Sequence, residues 1–182
     1  KDRLSISPEG IVWKGRQWEL DSISRIRWGG TRKSVNGIPA GTTYSITFGN
    51  ESELCSIELS KKEIYENFID RLWRAVGVRL MFQYLEGLRA GEKYKFGSAL
   101  ISDQGIELER MKWFSNNERV YNNWSEVLIY NGPGVFCVES KKGKVTKSFS
   151  YQDEDNIHVL EAMFRWLWKT GGRNMSSLLG EG

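Results

Sequence analysis

The sequence contains few of the residues that carry out most protein chemistry. Its 182 residues include one histidine, two cysteines and three prolines. A single histidine excludes zinc sites that need two or more imidazoles, and two cysteines are too few for the disulfide framework of a small secreted protein. We interpret Cys55 and Cys137, which lie in strand-like stretches, as buried free thiols; a disulfide or a reactive thiol is the alternative. This sparing use of cysteine favours a reducing, cytoplasmic location.

Long apolar runs are also missing. Charged or amide side chains interrupt every apolar stretch before it reaches the roughly 18 residues that a membrane-spanning helix needs, and we find no secretory signal. The first residue is Lys1 rather than methionine, so we expect the chain to be part of a larger protein. Apolar residues make up 40% of the chain and eight residues are tryptophan, which is enough for a packed core.

No catalytic or metal-binding pattern emerges from the sequence. The only histidine, His158, follows Asp153, Glu154 and Asp155, but acidic residues are typical of the first turn of a helix, where the macrodipole favours them. The sequence lacks the nucleophile turn of hydrolases, and its glycine pairs lack the GK[ST] ending of a phosphate-binding loop. We predict that the protein is not an enzyme and uses no metal and no cofactor.

Two nearly identical turns indicate an internal repeat. Residues 7–11 read SPEGI and residues 102–106 read SDQGI, an offset of 95 positions. At the same offset, the apolar helical segment around Leu72-Trp73-Arg74 aligns with Leu167-Trp168-Lys169. A shared offset is stronger support for a repeat than any one short match. We therefore predict two equivalent domains, residues 1–90 and 91–182.

Between its ends the alignment shifts and then recovers. Asp21-Ser22-Ile23 aligns best with Ser125-Glu126-Val127, 104 positions later, because the second copy carries extra residues around Met111–Val120. The first copy compensates with a longer loop at Gly29–Thr43. The copies also differ in charge, since residues 1–95 carry a net +4 and residues 96–182 a net −1. We expect the two copies to have different roles.

Both copies show the same order of predicted elements. A hairpin comes first, and its turn in the first copy is Pro8-Glu9-Gly10. Further strands with period-two alternation follow, and an amphipathic helix closes the copy, preceded in the first copy by the capping box Ser60–Glu63. The later predicted segments are the strands Ile23–Trp28, Tyr44–Phe48, Leu54–Leu59, Val135–Glu139 and Val145–Tyr151, and the helix Asp155–Lys169.

The order of these elements resembles the pleckstrin-homology-like fold. The stretches WSEVLIYNGPGVFCVE and FSYQDEDNIHVLEAMFRWLW are most similar to bacterial members of that fold. The resemblance implies an α+β protein of two units, each a small antiparallel β-sandwich or barrel closed by one C-terminal helix. Lipid-binding members carry a basic motif on the first hairpin, but the hairpin tips here are Pro8-Glu9-Gly10 and Asp103-Gln104-Gly105. We therefore expect no phosphoinositide recognition at that position.

Basic and aromatic residues alternate in residues 12–33, VWKGRQWELDSISRIRWGGTRK. Guanidinium groups pair with carboxylates and phosphates, and indoles stack on cations, so this surface is suited to an acidic peptide or an anionic membrane. The alternative is that strand alternation places Arg25 and Arg27 on a solvated face without a ligand. The candidate ligand-binding cations are Arg16, Arg25, Arg27, Arg32 and Lys33.

Two further features are candidate binding elements. The loop at Gly29–Thr43 is the longest predicted irregular stretch, and it is either a binding loop or a variable connection. Trp166 and Trp168 lie about 200° apart on a helix, so one core face does not bury both. Trp166 either packs between the copies or anchors a partner protein.

Together these patterns predict a non-catalytic interaction or scaffolding module that binds a protein or peptide. The alternative is a peripheral protein that binds anionic membrane through the basic face of the first copy. Nucleic acid is not favoured, because the isoelectric point of 8.8 is below the value above about 9 that is typical of nucleic-acid-binding domains.

Overall fold

The computed structural model describes residues 3–181 and has the predicted α+β class, with small antiparallel sheets and three α-helices. The chain divides into two compact units. Unit 1 comprises residues 3–80 and 151–156, and unit 2 comprises residues 81–150 and 157–181. The sequence predicted a boundary at residue 90, whereas this division falls between Leu80 and Met81 and assigns a short later segment to unit 1.

Unit 1 contains two three-stranded sheets and the first part of a helical run, which continues along the chain into unit 2. All strand pairs are antiparallel, and the orders are β1-β2-β3 and β4-β5-β6. The strands are β1 (Ser5–Ser7), β2 (Gly10–Trp13), β3 (Arg16–Trp18), β4 (Arg25–Val35), β5 (Ile38–Gly49) and β6 (Leu54–Leu59). The helical run comprises α1 (Lys62–Leu72), a π-helical turn (Trp73–Gly77) and α2 (Val78–Arg89).

The predicted long loop at Gly29–Thr43 is wrong, because β4 and β5 continue through it as a hairpin. The turn consists of Asn36 and Gly37, with φ of 51° and 81°. Positive φ at both central residues is the type I′ geometry that matches the twist of a hairpin, and Asn-Gly is its preferred sequence. We call residues 31–42 of this hairpin the arm, since β6 pairs with β5 only from Tyr44 onward.

The core of unit 1 forms where the alternating strand residues meet α1. Ile26, Ile46 and Phe48 are fully buried, and the Phe48 ring packs edge-on against Trp18 at 5.2 Å between centroids. The helix begins at Lys62 with Lys61 as its N-cap, and no side chain caps it. The capping box predicted at Ser60–Glu63 is therefore not formed.

Unit 2 has a four-stranded sheet in the order β10-β9-β8-β7 and a three-stranded sheet in the order β11-β12-β13. Fully buried Phe136, Phe149 and Phe164 form the centre of its core. The elements are β7 (Tyr94–Phe96), β8 (Ala99–Ile101), β9 (Gly105–Arg110), β10 (Glu118–Asn123), β11 (Val127–Gly132), β12 (Val135–Ser140), β13 (Thr146–Ser150), α3 (Ile157–Thr170) and a 3-10 turn (Met175–Leu179).

The two similar turns both lead into hairpins, β1–β2 and β8–β9. Each has a glycine because another backbone passes close to it: a Cβ on Gly10 would overlap the Trp18 carbonyl, and one on Gly105 would overlap the Asn122 carbonyl. These pairs of residues have the offsets of 95 and 104 found in the sequence. Of the two forms that the resemblance implied, sandwich or barrel, a barrel is not formed, since no sheet among residues 3–181 closes on itself.

Candidate functional site

Arg25 and Arg27, two of the predicted ligand-binding cations, are already paired with a carboxylate of their own unit. Nε of Arg25 lies 2.7 Å from Oδ2 of Asp155, and Nε of Arg27 lies 2.5 Å from Oδ1 of the same residue. The two arginine side chains are only 22% and 20% exposed. One carboxylate thus bridges two cations on the same face of β4, which reduces the charge they offer to a ligand.

Asn156, the residue after Asp155, also binds β4. The Asn156 side chain accepts a hydrogen bond from the Ile26 amide at 3.0 Å and donates one to the Ser24 carbonyl at 2.9 Å. Its own amide donates to the Ile26 carbonyl at 3.0 Å. Since β4 is an edge strand, Asn156 satisfies backbone groups that no strand pairs at that point. We call Asp155 and Asn156 the clasp.

Beside the clasp, the Gln152 side chain lies close to the backbone of β4. Gln152 lies against Gly29, where a Cβ would come within 2.7 Å of the Gln152 Cγ. Any larger residue at position 29 would push Gln152 away from β4. Gln152 and the clasp therefore cover part of the predicted basic face.

Arg16 lies apart from that pair and binds Glu53. Its Nη2 lies 2.8 Å from Oε2 of Glu53, and Nη1 contacts the other carboxylate oxygen. This hydrogen-bonded guanidinium holds the pKa of the Glu53 carboxyl below its usual range. Arg16 also lies over the Trp18 ring, 4.9 Å from its centroid. Both side chains are exposed. Because Glu53 compensates the charge of Arg16, this pair offers little positive charge to a ligand.

Arg32 and Lys33, the remaining predicted cations, are exposed on the arm. Close to the turn, Val35 pairs directly with Ile38 across the hairpin. Their side chains are 63% and 69% exposed, which is high for two aliphatic residues. The arm thus combines two cations with an apolar tip.

Trp166, the last predicted site residue, packs edge-on against Phe82 of α2, with 6.3 Å between ring centroids. The more exposed indole is that of Trp168, at 44%. It helps to line an open groove of about 790 Å³ in unit 2, together with Trp124, Ser125 and the residues after α3. The described residues that line it include no histidine, carboxylate or thiol beside the Ser125 hydroxyl.

Sequence reasoning did not identify the most exposed apolar residues of the described chain. Met111, Trp113 and Phe114 are 84%, 90% and 94% exposed. They belong to the loop at residues 111–117 between β9 and β10, which we call the aromatic loop. The signal was present in the sequence, because the alignment of the two copies placed an insertion at Met111–Val120.

A cationic turn lies at the base of the aromatic loop. Residues 141–144 read KKGK, and we call them the lysine turn. The Arg110 guanidinium, on the last residue of β9, donates a hydrogen bond to the Gly143 carbonyl. Val120 of β10 also approaches Gly143 closely. Three exposed apolar side chains and three lysines therefore share one end of unit 2.

Within residues 3–181, no three His, Cys, Asp or Glu side chains are grouped so that they hold a metal ion. No helix in the described part of the chain has the length and apolar character needed to cross a bilayer. Both cysteines are free thiols. No protein family, curated protein or solved structure matches this sequence or fold. The surfaces themselves are therefore the basis of any functional proposal.

Proposed function

We propose that the protein is a non-catalytic interaction module of two pleckstrin-homology-like units and that it binds a protein or peptide through the arm of unit 1. The two-unit proposal is supported by the repeated order of elements, in which each unit has two small antiparallel sheets and then a helix. The two free thiols are consistent with a cytoplasmic location.

The exposed pair Val35 and Ile38 at the tip of the arm carries this proposal. A type I′ turn needs only Asn36 and Gly37 at its centre, so the hairpin itself does not require aliphatic neighbours. Surface positions without a partner are usually polar, and large exposed apolar groups near one another mark interaction sites. The pair therefore fits a contact that is buried in a complex.

The partner is expected to contact side chains of the arm rather than extend its sheet. Pro39 in β5 has no amide hydrogen to donate, and a register irregularity between Arg32 and Ser34 interrupts β4. Both features prevent an added strand from pairing along a sheet edge. Two cations beside an apolar tip instead suit a segment that combines apolar residues with Asp or Glu.

Membrane binding through the basic face of unit 1 has less support. That proposal used Arg25 and Arg27, which share Asp155, and Arg16, which binds Glu53. Of the predicted cations, only Arg32 and Lys33 are left on the exposed arm. We therefore assign the arm to a protein or peptide.

A random peptide library displayed on phage, selected against the purified full chain, tests the proposal. We expect enrichment of peptides that combine acidic and apolar residues. The variant Val35→Ser/Ile38→Ser should weaken binding of a selected synthetic peptide at least about tenfold, because buried apolar anchors each contribute about 1 kcal/mol or more. The variant Arg32→Gln/Lys33→Gln should weaken binding and reduce its dependence on salt.

The matched control is Ile64→Ser, which removes an exposed aliphatic side chain, 47% exposed, from α1 of the same unit. Circular dichroism should show that all three variants keep the fold, since the changed residues lie outside the core. A library without enrichment, or selected peptides that bind the arm variants as tightly as the parent, would contradict the proposal.

A further inference from the structure

We propose that the aromatic loop and the lysine turn of unit 2 form a docking site for an anionic lipid bilayer. Neither element belongs to the arm, so this proposal is independent of the one above. It rests on the exposure of three apolar side chains, on the cations beside them and on the shape of the loop.

The apolar side chains are clustered at the end of a hairpin. In unit 1 the corresponding hairpin, β2–β3, closes with the two residues Lys14 and Gly15 at positive φ. In unit 2 the β9–β10 ladder extends to Arg110 and Glu118 and then opens into the seven-residue aromatic loop. The added length therefore serves to carry Met111, Trp113 and Phe114 away from the core.

The exposure of these residues is not explained by packing within the described chain. The Trp113 and Phe114 rings contact each other edge-on, at 6.4 Å between centroids, and both remain at least 90% exposed. Exposing two aromatic rings and a methionine to water costs free energy in proportion to their exposed apolar area. Transfer of these side chains from water to an apolar environment would recover that free energy.

Cations surround the base of the loop. Residues 110–119 contain three cations and one carboxylate, and the lysine turn adds three more cations. Glu118 accepts from Lys112, which lowers the pKa of the Glu118 carboxyl, and Lys142 binds Glu126 at 2.7 Å. Lys141 donates to the Ser125 carbonyl, which leaves its charge uncompensated, and Lys144 is exposed. Even with Glu107, Glu109, Glu118 and Glu126 included, the surface keeps a net +2.

This combination fits an anionic bilayer better than a protein. Trp and other aromatic residues prefer the interfacial region of a membrane, and stable peripheral binding needs both apolar insertion and electrostatic attraction. The loop lies at the end of a hairpin, beyond the last paired residues Arg110 and Glu118, whereas a protein partner would need a matching cavity. A fluid bilayer accepts such a tip without shape complementarity.

Cosedimentation of the full chain with lipid vesicles tests the proposal. The vesicles are phosphatidylcholine alone or phosphatidylcholine with about 30% phosphatidylserine, at low and at physiological salt. We expect binding only to the anionic vesicles and weaker binding at higher salt. Trp113→Ala/Phe114→Ala should lower the partition coefficient at least about thirtyfold. Lys141→Gln/Lys144→Gln should lower it about thirtyfold, because each cation near the surface contributes about 1 kcal/mol.

Two control variants separate the site from general effects. Trp168→Ala removes another exposed indole of unit 2, and Lys61→Gln/Lys62→Gln removes two exposed lysines of unit 1; both should bind vesicles like the parent. Trp113→Phe should keep most of the binding but lose part of the fluorescence quenching by brominated lipids, because the inserted indole is missing.

Three results would overturn the docking site: a parent protein that stays in the supernatant with anionic vesicles at low salt, unchanged binding of Trp113→Ala/Phe114→Ala, or an equal loss in the control variants. Arm variants should bind vesicles normally, and loop variants should bind selected peptides normally. Failure of one proposal is therefore distinguishable from failure of the other.

Discussion

Replacing Asn156 with alanine removes one of the two residues of the clasp. The resulting loss of stability follows from the hydrogen bonds and the backbone conformation of Asn156. The substitution deletes two hydrogen bonds, from the Ile26 amide and to the Ser24 carbonyl. Ile26 is fully buried, so its amide would lose a partner in a place that water reaches poorly. Leaving a buried donor unsatisfied costs about 1–3 kcal/mol, and the second bond contributes about 1 kcal/mol.

The backbone at this residue adds to the cost. Asn156 has φ of 60°, in the left-handed region that asparagine tolerates better than alanine, and alanine there costs about 1 kcal/mol or more. Together these effects predict a local destabilisation of about 3–5 kcal/mol for Asn156→Ala. Asn156→Gly loses the same bonds without the strain at positive φ and should be about 1 kcal/mol less destabilised.

Hydrogen exchange of the Ile26 amide, followed by NMR, measures this effect where it occurs. A local loss of about 3 kcal/mol or more corresponds to exchange at least about 150-fold faster. Urea denaturation followed by tryptophan fluorescence gives the accompanying change in the free energy of unfolding. If exchange at Ile26 is unchanged in Asn156→Ala, the predicted loss of the hydrogen bond is refuted. If the alanine and glycine variants are equally stable, the predicted strain at positive φ is refuted.

Two further predictions concern packing and pH. Gly105→Ala should lower the free energy of unfolding, measured by urea denaturation, by about 2–4 kcal/mol, because its Cβ would overlap the Asn122 carbonyl. The control Gly134→Ala has a positive φ of 69° but open space around it, so it should cost only about 1 kcal/mol. Equal losses in the two variants would contradict this explanation. Burial raises the pKa of Tyr65, stacked on Tyr44, to about 12; since the folded pKa is above the unfolded one, this contribution to stability is complete below pH about 10 and is lost as pH rises through about 12. Absorbance titration at 295 nm should show two late-titrating phenols, Tyr65 and Tyr94. The late amplitude should fall by one phenol in Tyr65→Phe, and an unchanged titration curve would argue against the burial of Tyr65.

The local sequence patterns predicted many elements correctly. The strand expected at Leu54–Leu59 has those bounds, and the helix expected at Asp155–Lys169 extends over Ile157–Thr170. The arm was misread because its several glycines were interpreted as a loop, although Asn36-Gly37 between alternating residues is a strong hairpin signal. The Asn-Gly turn is a local sequence signal, so the hairpin was predictable from the sequence.

The candidate site was predicted less completely. The pattern of basic and aromatic residues identified Arg32 and Lys33, which are exposed, but for Arg25 and Arg27 it offered only a ligand-binding face or a solvated one. The pairing partner Asp155 lies about 130 positions away in the sequence. No periodicity or spacing connects residues so far apart, so the difference between a free cation and a paired one was not readable.

The sequence by itself determined the α+β class, the two similar turns and the positions of many strands and helices, since turns, alternation and helical periodicity depend on neighbouring residues. Only the tertiary structure decided what each surface residue contacts. It assigned Asp155 and Asn156 to the edge of β4, placed the lysine turn beside the aromatic loop, and left Trp113 and Phe114 exposed. These outcomes depend on which distant segments pack together, and burial and charge compensation are properties of that packing.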